Sequence, residues 1–244
     1  MTFPTRFTRT VDLYGHDGMT RLRQAGVVVV GLGGVGAHAA VALARSGIGR
    51  LHLIDFDTVT TSSLNRHPVA GPDDVGRTKV DVLASFFAST CPDTIVTTEA
   101  SRLTAANLPT LLPAADTEAF GTVVDAIDAV PDKVALLVHA MVQGRRTICS
   151  AGAAGKIDPG GLCSGSLADT RVCPLARKVR KGVREADVDP TDIVAVWSEE
   201  APRPPIESPA DEPHLRRRQP SNMMLPGMVG YALAAEAVAL VARG

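Results

Sequence analysis

The segment from Val27 to Asp57 constrains the fold more than any other part of the chain, and it reads VVVVGLGGVGAHAAVALARSGIGRLHLIDFD. Four valines run into a glycine-rich turn, an alanine-rich helical pattern follows, and a second apolar run ends at Asp55. An apolar run without polar alternation is expected for a strand that is covered on both faces. The segment therefore predicts a strand, a tight turn, a helix and a second, parallel strand.

The same alternation of strands and helices continues to residue 150. The predicted strands are 26–31, 50–55, 94–99, 122–125 and 146–150, and the predicted helices are 12–24, 35–46, 76–89, 105–112 and 132–143. Such an order predicts βαβ units. We therefore expect an α/β fold with a Rossmann-like, mostly parallel sheet and helices on both faces.

The character of the chain changes after Ala151. Strands are predicted at 162–167 and 192–197, partly antiparallel, and CPLARKVRKGVREA between them predicts a basic amphipathic helix. The segment 199–222 is rich in proline and predicts a long loop. We expect a single domain over 1–244, with a nucleotide-binding half (1–150) and a substrate and dimer half (151–244).

Composition narrows the classes of function. The formal net charge of −1 argues against a globally basic nucleic-acid binder, although it permits a local basic face. The four cysteines form no CxxC pair, so the sequence has neither a disulfide framework nor a structural zinc motif. The polar N-terminus lacks the pattern of a signal peptide, and we expect a cytoplasmic protein.

The apolar segment 223–242 is long enough to span a bilayer. It also contains Pro226, Gly227 and Glu236, and alanine outnumbers leucine and isoleucine in it. We expect a helix buried in the domain or in a dimer interface rather than stable insertion into a membrane.

The glycines of the turn point to a nucleotide. Gly31, Gly33 and Gly36 match the GxGxxG pattern, which brings backbone N–H groups close to phosphates at the start of a helix. Asp55 ends the next strand, where a carboxylate can accept hydrogen bonds from ribose hydroxyls. The pattern predicts nucleotide binding, but by itself it does not distinguish a nicotinamide cofactor from ATP.

Three charged residues favour ATP. Arg66 and Lys79 follow the second strand, and Asp128 follows the fourth, at the edge of the sheet where ligands bind. Nucleotidyl transfer needs cations near the phosphates because negative charge develops there, whereas hydride transfer leaves the pyrophosphate intact. The alternatives are surface cations for Arg66 and Lys79 and a helix cap for Asp128.

Together, GxGGxG, DFDTV, LNR, GxxK and DAID resemble the adenylation domain of ubiquitin-activating enzymes and of the bacterial MoeB and ThiF proteins. Within that superfamily, VVDAIDAVPDKVAL, SAGAAGKIDP, DTRVCPLARKVRKGV and VAVWSEEAP are most similar to the family of tRNA threonylcarbamoyladenosine dehydratases. The resemblance covers residues 6–198 and the C-terminal PSNMMLPGMVGYALAAE.

The resemblance implies a role for each motif residue. The residues implied to hold ATP are Gly31, Gly33, Gly34, Gly36, Asp55, Asp57, Asn65, Arg66, Lys79 and Asp128. Arg66 and Lys79 would contact the phosphates, and Asp128 would bind Mg²⁺. Arg9 would reach into the neighbouring subunit's site of a homodimer and act there as an arginine finger does.

The implied reaction is ATP-dependent dehydration of threonylcarbamoyladenosine in the anticodon region of tRNA, through an acyl-adenylate. It needs no catalytic cysteine, so we expect structural roles for Cys149 and Cys173; a sulfur-transfer partner is compatible with the family. The residues predicted to contact tRNA phosphates are Arg177, Lys178, Arg180, Lys181, Arg184, Arg216, Arg217 and Arg218. The alternative for these residues is a solvated helix face with ion pairs.

Two other functions stay open at this point. One is adenylation of the C-terminus of a ubiquitin-like sulfur carrier, or of a small carboxylate; the absence of zinc cysteines in the sequence counts against the carrier. The other is a nicotinamide-dependent oxidoreductase or a non-catalytic nucleotide-binding module. Arg66 and Lys79 beside the glycine turn count against that second function.

Overall fold

The structure is a computed structural model that describes residues 2–112, 120–207 and 217–244, with only the backbone of Arg217 and Arg218. The helices are α1 (Thr8–Gln24), α2 (Gly36–Arg45), α3 (Lys79–Thr90), α4 (Leu108–Leu111), α5 (Val130–Val142), α6 (Pro174–Glu185) and α7 (Met224–Arg243). The strands are β1 (Gly26–Val30), β2 (Arg50–Ile54), β3 (Ile95–Glu99), β4 (Thr122–Asp125), β5 (Arg146–Ser150), β6 (Leu162–Ser166), β7 (Val194–Ser198), β8 (Ile206–Glu207) and β9 (Arg217–Arg218).

A seven-stranded sheet in the order β3-β2-β1-β4-β5-β7-β6 organises the molecule. Only the edge strand β6 runs antiparallel to its neighbour, and the other pairs are parallel. The chain winds outward from β1 through β2 to β3, and then returns to lay β4 on the other side of β1. The α/β prediction with a mostly parallel sheet is confirmed, and the reversal at β1 and β4 creates the crevice where such sheets bind ligands.

The four valines of β1 explain why this strand is apolar throughout. Val27 and Val29 pack into a core that includes residues of α2 and α7. Val28 and Val30 face the other side of the sheet and pack with residues of α4 and α5. Successive side chains of a strand point to opposite faces, so a strand between two helical layers needs apolar residues at every position.

Local hydrogen bonds shift several predicted helix ends. The predicted helix at 105–112 is wrong in extent: α4 is confined to Leu108–Leu111, because the Asn107 side chain accepts the Thr104 amide at 2.7 Å and forms a turn there. α3 begins at Lys79 rather than residue 76, since Thr78 caps it by accepting the Asp81 amide. α1 begins at Thr8 and bends at Gly15, where φ is +70°.

Part of the proline-rich segment is ordered. β8 and β9 pair antiparallel, with Ile206 opposite Arg218, within the stretch 199–222 that was expected to be one long loop. Residues 208–216, and with them Arg216, lie outside the described residues. The two strands are separate from the main sheet.

By length and composition α7 qualifies as a membrane span, but 56% of its apolar window is buried inside the protein. Its small residues allow close packing on α2: a Cβ atom on Gly230 would lie 2.4 Å from the Val35 carbonyl oxygen. Leu225, Val229 and Leu233 belong to the main core. α7 is thus a core helix of this domain, as expected from its glycines and its internal Glu236.

Candidate functional site

The glycine turn lies between β1 and α2, at the carboxyl end of the sheet. Gly31 has a φ of +85°, which favours glycine, and a Cβ atom on Gly36 would lie 1.8 Å from the Gly31 carbonyl oxygen. A Cβ atom on Gly33, by contrast, would have no atom within 4 Å. The backbone of the turn itself requires Gly31 and Gly36, whereas Gly33 borders open space.

The N-terminus of α2 faces this turn without a side-chain cap. Val35 is the N-cap residue of this 10-residue helix, and its side chain cannot accept a hydrogen bond from the first-turn N–H groups. Uncapped N–H groups and the positive end of the helix dipole favour an anion. The turn and the helix together fit the phosphates of a nucleotide.

Asp55 is buried directly beside the turn. Its Oδ2 accepts the Leu32 amide at 2.5 Å, and its Oδ1 accepts the Asp57 amide at 2.7 Å. Burial raises the pKa of the Asp55 carboxyl, while the Lys79 ammonium and the two amides act in the opposite direction. The carboxylate is held rigidly at the end of β2, and each oxygen keeps a lone pair for a hydroxyl donor.

Lys79 is held by Asp57. The Lys79 Nζ lies 2.6 Å from Asp57 Oδ2, and the lysine side chain is 10% exposed while that of the aspartate is 48% exposed. The Lys79 amide also donates to the Asp57 carbonyl at 3.0 Å. A nearly buried cation therefore sits at the first residue of α3 with an acid beside it.

Arg66 packs over the glycine turn. A Cβ atom on Gly34 would lie 3.2 Å from Arg66 Cγ, and Arg66 Nη1 donates to the Ser62 carbonyl at 2.6 Å. The same Nη1 donates to Asn65 Oδ1 at 3.1 Å, and Asn65 Nδ2 donates to the Ser221 carbonyl at 3.1 Å. Asn65 thus connects Arg66 to the segment that precedes α7, and its contact with a nucleotide stays a prediction.

The connection after β4 carries Asp128, whose side chain is exposed. The N-cap of α5 is Ala129, and no side chain caps that helix, so the helix-cap alternative for Asp128 is wrong. Below it lies a buried ion pair that the sequence did not indicate: Lys133 Nζ is 2.8 Å from Asp125 Oδ2. Its traces in the sequence were Asp125, the first residue of the DAID motif, and Lys133 within the largely apolar helix VPDKVALLVHAMV.

Two buried histidines near the turn were also missed. His38 Nδ1 is 2.7 Å from the Gly34 carbonyl, so this nitrogen carries a proton and donates it. His67 Nδ1 instead accepts the Ala70 amide at 3.1 Å. Burial lowers the pKa of His67 to about 4, with the Lys79 ammonium acting in the same direction, so this imidazole is neutral at pH 7.

Within the described ranges, no three histidine, cysteine or acidic side chains lie close enough to form a metal site of their own. Mg²⁺ bound with a nucleotide commonly uses one or two carboxylates and completes its shell with phosphates and water. The exposed oxygens of Asp128, beyond β4 and beside the crevice, fit that donor set.

Comparison with known proteins assigns the chain to a family. The model of the ThiF family matches residues 7–243. The chain belongs to the ThiF family. This membership agrees with the resemblance inferred from the glycine turn and the motifs that follow it.

Two relatives are informative for this ThiF-family member. It is 38% identical to tRNA threonylcarbamoyladenosine dehydratase 2 of Saccharomyces cerevisiae, over 80% of this chain and 43% of the relative. It is 36% identical to the Escherichia coli dehydratase, over 73% of this chain and 65% of that protein. The chain therefore spans between about two fifths and two thirds of the length of these two relatives.

The E. coli dehydratase has also been solved as a structure. Its complex with AMP has a TM-score of 0.83 to this chain at 30% identity, covering 97% of this chain and 93% of that one. Its complex with ATP has a TM-score of 0.81, covering 98% and 95%. The fold of this ThiF-family chain is thus shared with a structure solved with each nucleotide.

The basic helix α6 confirms the amphipathic prediction. Ala176, Val179 and Val183 are buried on one face. The exposed cations of the other face are Arg177, Lys178, Lys181 and Arg184. A shallow cavity of about 380 Å³ on this face is lined by Arg177, Arg180, Lys181, Arg184 and Glu185.

Arg180 differs from its neighbours on α6. Its Nη1 donates to both the carbonyl and the hydroxyl oxygen of Thr170, and the side chain is half-buried. Lys181 lies 3.5 Å from Glu185 in an exposed pair, which leaves its charge available to solvent. We therefore infer that Arg180 anchors α6 to Thr170, whereas the other cations of α6 lie on the exposed surface of the helix.

The remaining candidate residues lie elsewhere. Arg9 is exposed near the start of α1, and the single chain leaves its action in a partner subunit a prediction. Cys149 is a buried core residue, and this burial raises the pKa of its thiol to about 12. Cys173 is the N-cap residue of α6, and its Sγ accepts the Gly152 amide at 3.3 Å.

Proposed function

We propose that this protein dehydrates threonylcarbamoyladenosine in tRNA, with ATP as the second substrate. The observation that carries the proposal is that four features meet at one crevice. They are the glycine turn with the uncapped N-terminus of α2, the buried Asp55, and the cations Arg66 and Lys79. The similarity to proteins named as this dehydratase supports the substrate. We assign nucleotide binding to 1–150 and tRNA binding and dimerisation to 151–244.

The chemistry follows from the charges at the crevice. A carboxylate oxygen of the threonylcarbamoyl group attacks the α-phosphorus of ATP, and the bond to pyrophosphate breaks. Asp55 holds the ribose, while Arg66 and Lys79 offset the charge that develops on the phosphates. A nucleophile of the same modification then attacks the activated carbonyl and expels AMP, which carries away the oxygen lost in the net dehydration.

Ring closure needs mainly positioning, because the nucleophile is tethered to the electrophile. Asp128 would hold Mg²⁺ together with the phosphates, where the ion would neutralise charge on departing pyrophosphate. We also propose a homodimer in which Arg9 stabilises that charge across the interface. Exposed Tyr231 on α7 supports a dimer surface in the half 151–244, and α1, which carries Arg9, packs against α7.

The exposed cations of α6 are the proposed contact for tRNA phosphates, together with Arg217 and Arg218 on β9. Phosphate contacts of this kind position a nucleic acid without reading its sequence. A cytoplasmic location accords with these substrates. A sulfur-transfer partner is compatible with the family.

Nucleoside analysis of tRNA tests the proposal. In a strain without the gene, the cyclised nucleoside should disappear and threonylcarbamoyladenosine should accumulate. Wild-type protein should reverse this change, whereas Lys79→Ala protein, produced at the same level, should not. An unchanged nucleoside profile after deletion would reject the substrate, and pyrophosphate–ATP exchange with a sulfur-carrier C-terminus instead of modified tRNA would favour the alternative.

A further inference from the structure

The ion pair between Asp125 and Lys133 is the most deeply buried one in the described part of the chain. The two side chains are 0% and 1% exposed, respectively, and their charged atoms are 2.8 Å apart. Neither group reaches solvent, so neither can exchange protons with a substrate or touch one. Its role must be sought in what the pair holds in place.

Both charges of the pair bind the same peptide segment. Asp125 Oδ1 accepts the Ile127 amide at 2.9 Å. Lys133 Nζ donates to the Ile127 carbonyl at 3.0 Å and lies 3.5 Å from the Asp125 carbonyl. Asp125 therefore binds the N–H of Ile127 and Lys133 binds its C=O. Together they fix the connection between β4 and α5.

This connection forms a wall of the glycine turn. The Ala126 amide donates to the Val30 carbonyl at 2.8 Å, next to Gly31. The Ala126 carbonyl oxygen would lie 2.8 Å from a Cβ atom on Gly31, and Ala126 Cβ would lie 3.1 Å from one on Gly36. Asp128 follows Ile127 directly. The connection between β4 and α5 therefore determines both the space beside the glycine turn and the position of the Asp128 carboxylate.

Stability does not require a buried ion pair. Apolar side chains of similar size often replace such a pair with no loss of stability, whereas removal of one partner leaves an uncompensated charge. In this protein, apolar substitutes would fill the space but could not bind the Ile127 peptide. The ion pair supplies hydrogen bonds to Ile127, and an apolar core cannot supply them.

We propose that Asp125 and Lys133 are positioning residues that hold Ile127 so that the glycine turn and Asp128 together receive the phosphates of Mg²⁺–ATP. The inference rests on the proposed function and adds residues that do not contact substrate. It predicts that loss of the pair weakens nucleotide binding in a protein that is still folded.

The decisive variant replaces both partners, Asp125→Leu with Lys133→Met, since this change avoids an unpaired buried charge. Calorimetry would measure its affinity for ATP with and without Mg²⁺, and denaturant unfolding would check its fold. We expect unfolding at a denaturant concentration equal to or above that of wild type, and an affinity for Mg²⁺–ATP at least tenfold lower. The loss should be smaller for ATP without Mg²⁺, because Asp128 contributes only when the ion is present.

Lys156→Met is the matched control, since Lys156 is another buried lysine, whose Nζ donates to the Ser198 carbonyl at 2.8 Å. It should bind Mg²⁺–ATP as wild type does. A folded double variant with wild-type affinity for Mg²⁺–ATP would overturn the positioning role. That outcome is distinct from failure of the proposed function, in which the wild-type protein binds ATP but leaves modified tRNA unchanged. Single Lys133→Met protein provides a second check: it should also lose affinity for Mg²⁺–ATP, and a folded single variant with wild-type affinity would contradict the positioning role.

Discussion

The Lys79 ammonium and the Asp57 carboxylate lie 2.6 Å apart at the junction of β2 and α3. The backbone reinforces this link, because the Lys79 amide donates to the Asp57 carbonyl. The pair keeps a nearly buried cation at the carboxyl end of the sheet, where phosphates would meet it. A phosphate oxygen that binds Lys79 must share the ammonium with Asp57 or displace it.

Lys79→Ala should abolish most of the turnover while the protein remains folded. Removal of one group that stabilises charge in the transition state commonly lowers kcat by about 10²–10³-fold. Pyrophosphate–ATP exchange with modified tRNA measures the effect, and Asp128→Ala should show a similar loss. Arg77→Ala is the control, because Arg77 is an exposed arginine that lies two residues before Lys79 and pairs with Asp74. If Arg77→Ala were equally inactive, the loss could not be assigned to the Lys79 charge.

Gly36→Ala should lower the stability of the protein, whereas Gly33→Ala should lower its affinity for ATP. The new methyl group at position 36 would collide with the Gly31 carbonyl, so we expect a loss of stability of about 1–3 kcal/mol or more. The methyl group at position 33 meets no protein atom within 4 Å, so this variant should unfold like wild type. It should nevertheless bind ATP more weakly, because the methyl group occupies space beside the turn. Thermal unfolding and ATP calorimetry separate the two effects, and unimpaired ATP binding by Gly33→Ala would contradict a phosphate site there.

His67 should make the fold sensitive to acid. Its pKa is about 4 in the folded protein and near the ordinary 6.5 after unfolding, so the unfolded chain binds the proton first. Stability is therefore complete above pH 6.5 and is lost as the pH falls toward 4, by an amount on the order of 3 kcal/mol. Unfolding free energies of His67→Gln should vary less over this interval than those of wild type. His16→Gln, which changes an exposed histidine, should keep the wild-type pH dependence; equal slopes for all three proteins would refute the assignment.

Substitution of Arg177 and Arg184 by glutamine should weaken tRNA binding without changing ATP affinity. Each lost phosphate contact reduces the dependence of log K on log salt by about 0.7–0.9. The double variant should therefore have a slope that is smaller by about 1.4–1.8 when binding is titrated at several salt concentrations. Arg45→Gln removes one exposed arginine from α2 and should leave the slope unchanged. A wild-type slope in the double variant would remove α6 from the tRNA surface.

Heterodimers test whether Arg9 acts across a subunit interface. A mixture of Arg9→Ala and Lys79→Ala chains should recover part of the activity that each variant lacks, because one of the two sites then has both intact residues. Recovery should be measured in verified heterodimers. A mixture of Lys79→Ala and Asp128→Ala chains should recover no activity, because each of the two sites then lacks one residue that its own chain must supply. Absence of recovery in purified heterodimers would place Arg9 outside the partner's site.

The sequence determined those features that depend on neighbouring residues along the chain. Four consecutive valines predicted a strand covered on both faces, and the structure divides them between two cores. The spacing of Gly31 and Gly36 predicted a tight turn before a helix, and the structure shows their backbones in contact. These features are local, so periodicity and backbone sterics were sufficient to predict them.

Only the tertiary structure decided which distant polar groups meet. The contact of Asn65 with Ser221 joins residues that are 156 positions apart. Lys133 appeared as one lysine in a largely apolar helix until folding placed Asp125 of β4 beside it. Arg180 shares the basic pattern of α6, yet Thr170 holds it away from the free surface. The energy of a buried charge depends on the partners that folding brings to it, and periodicity along the chain carries no record of those partners.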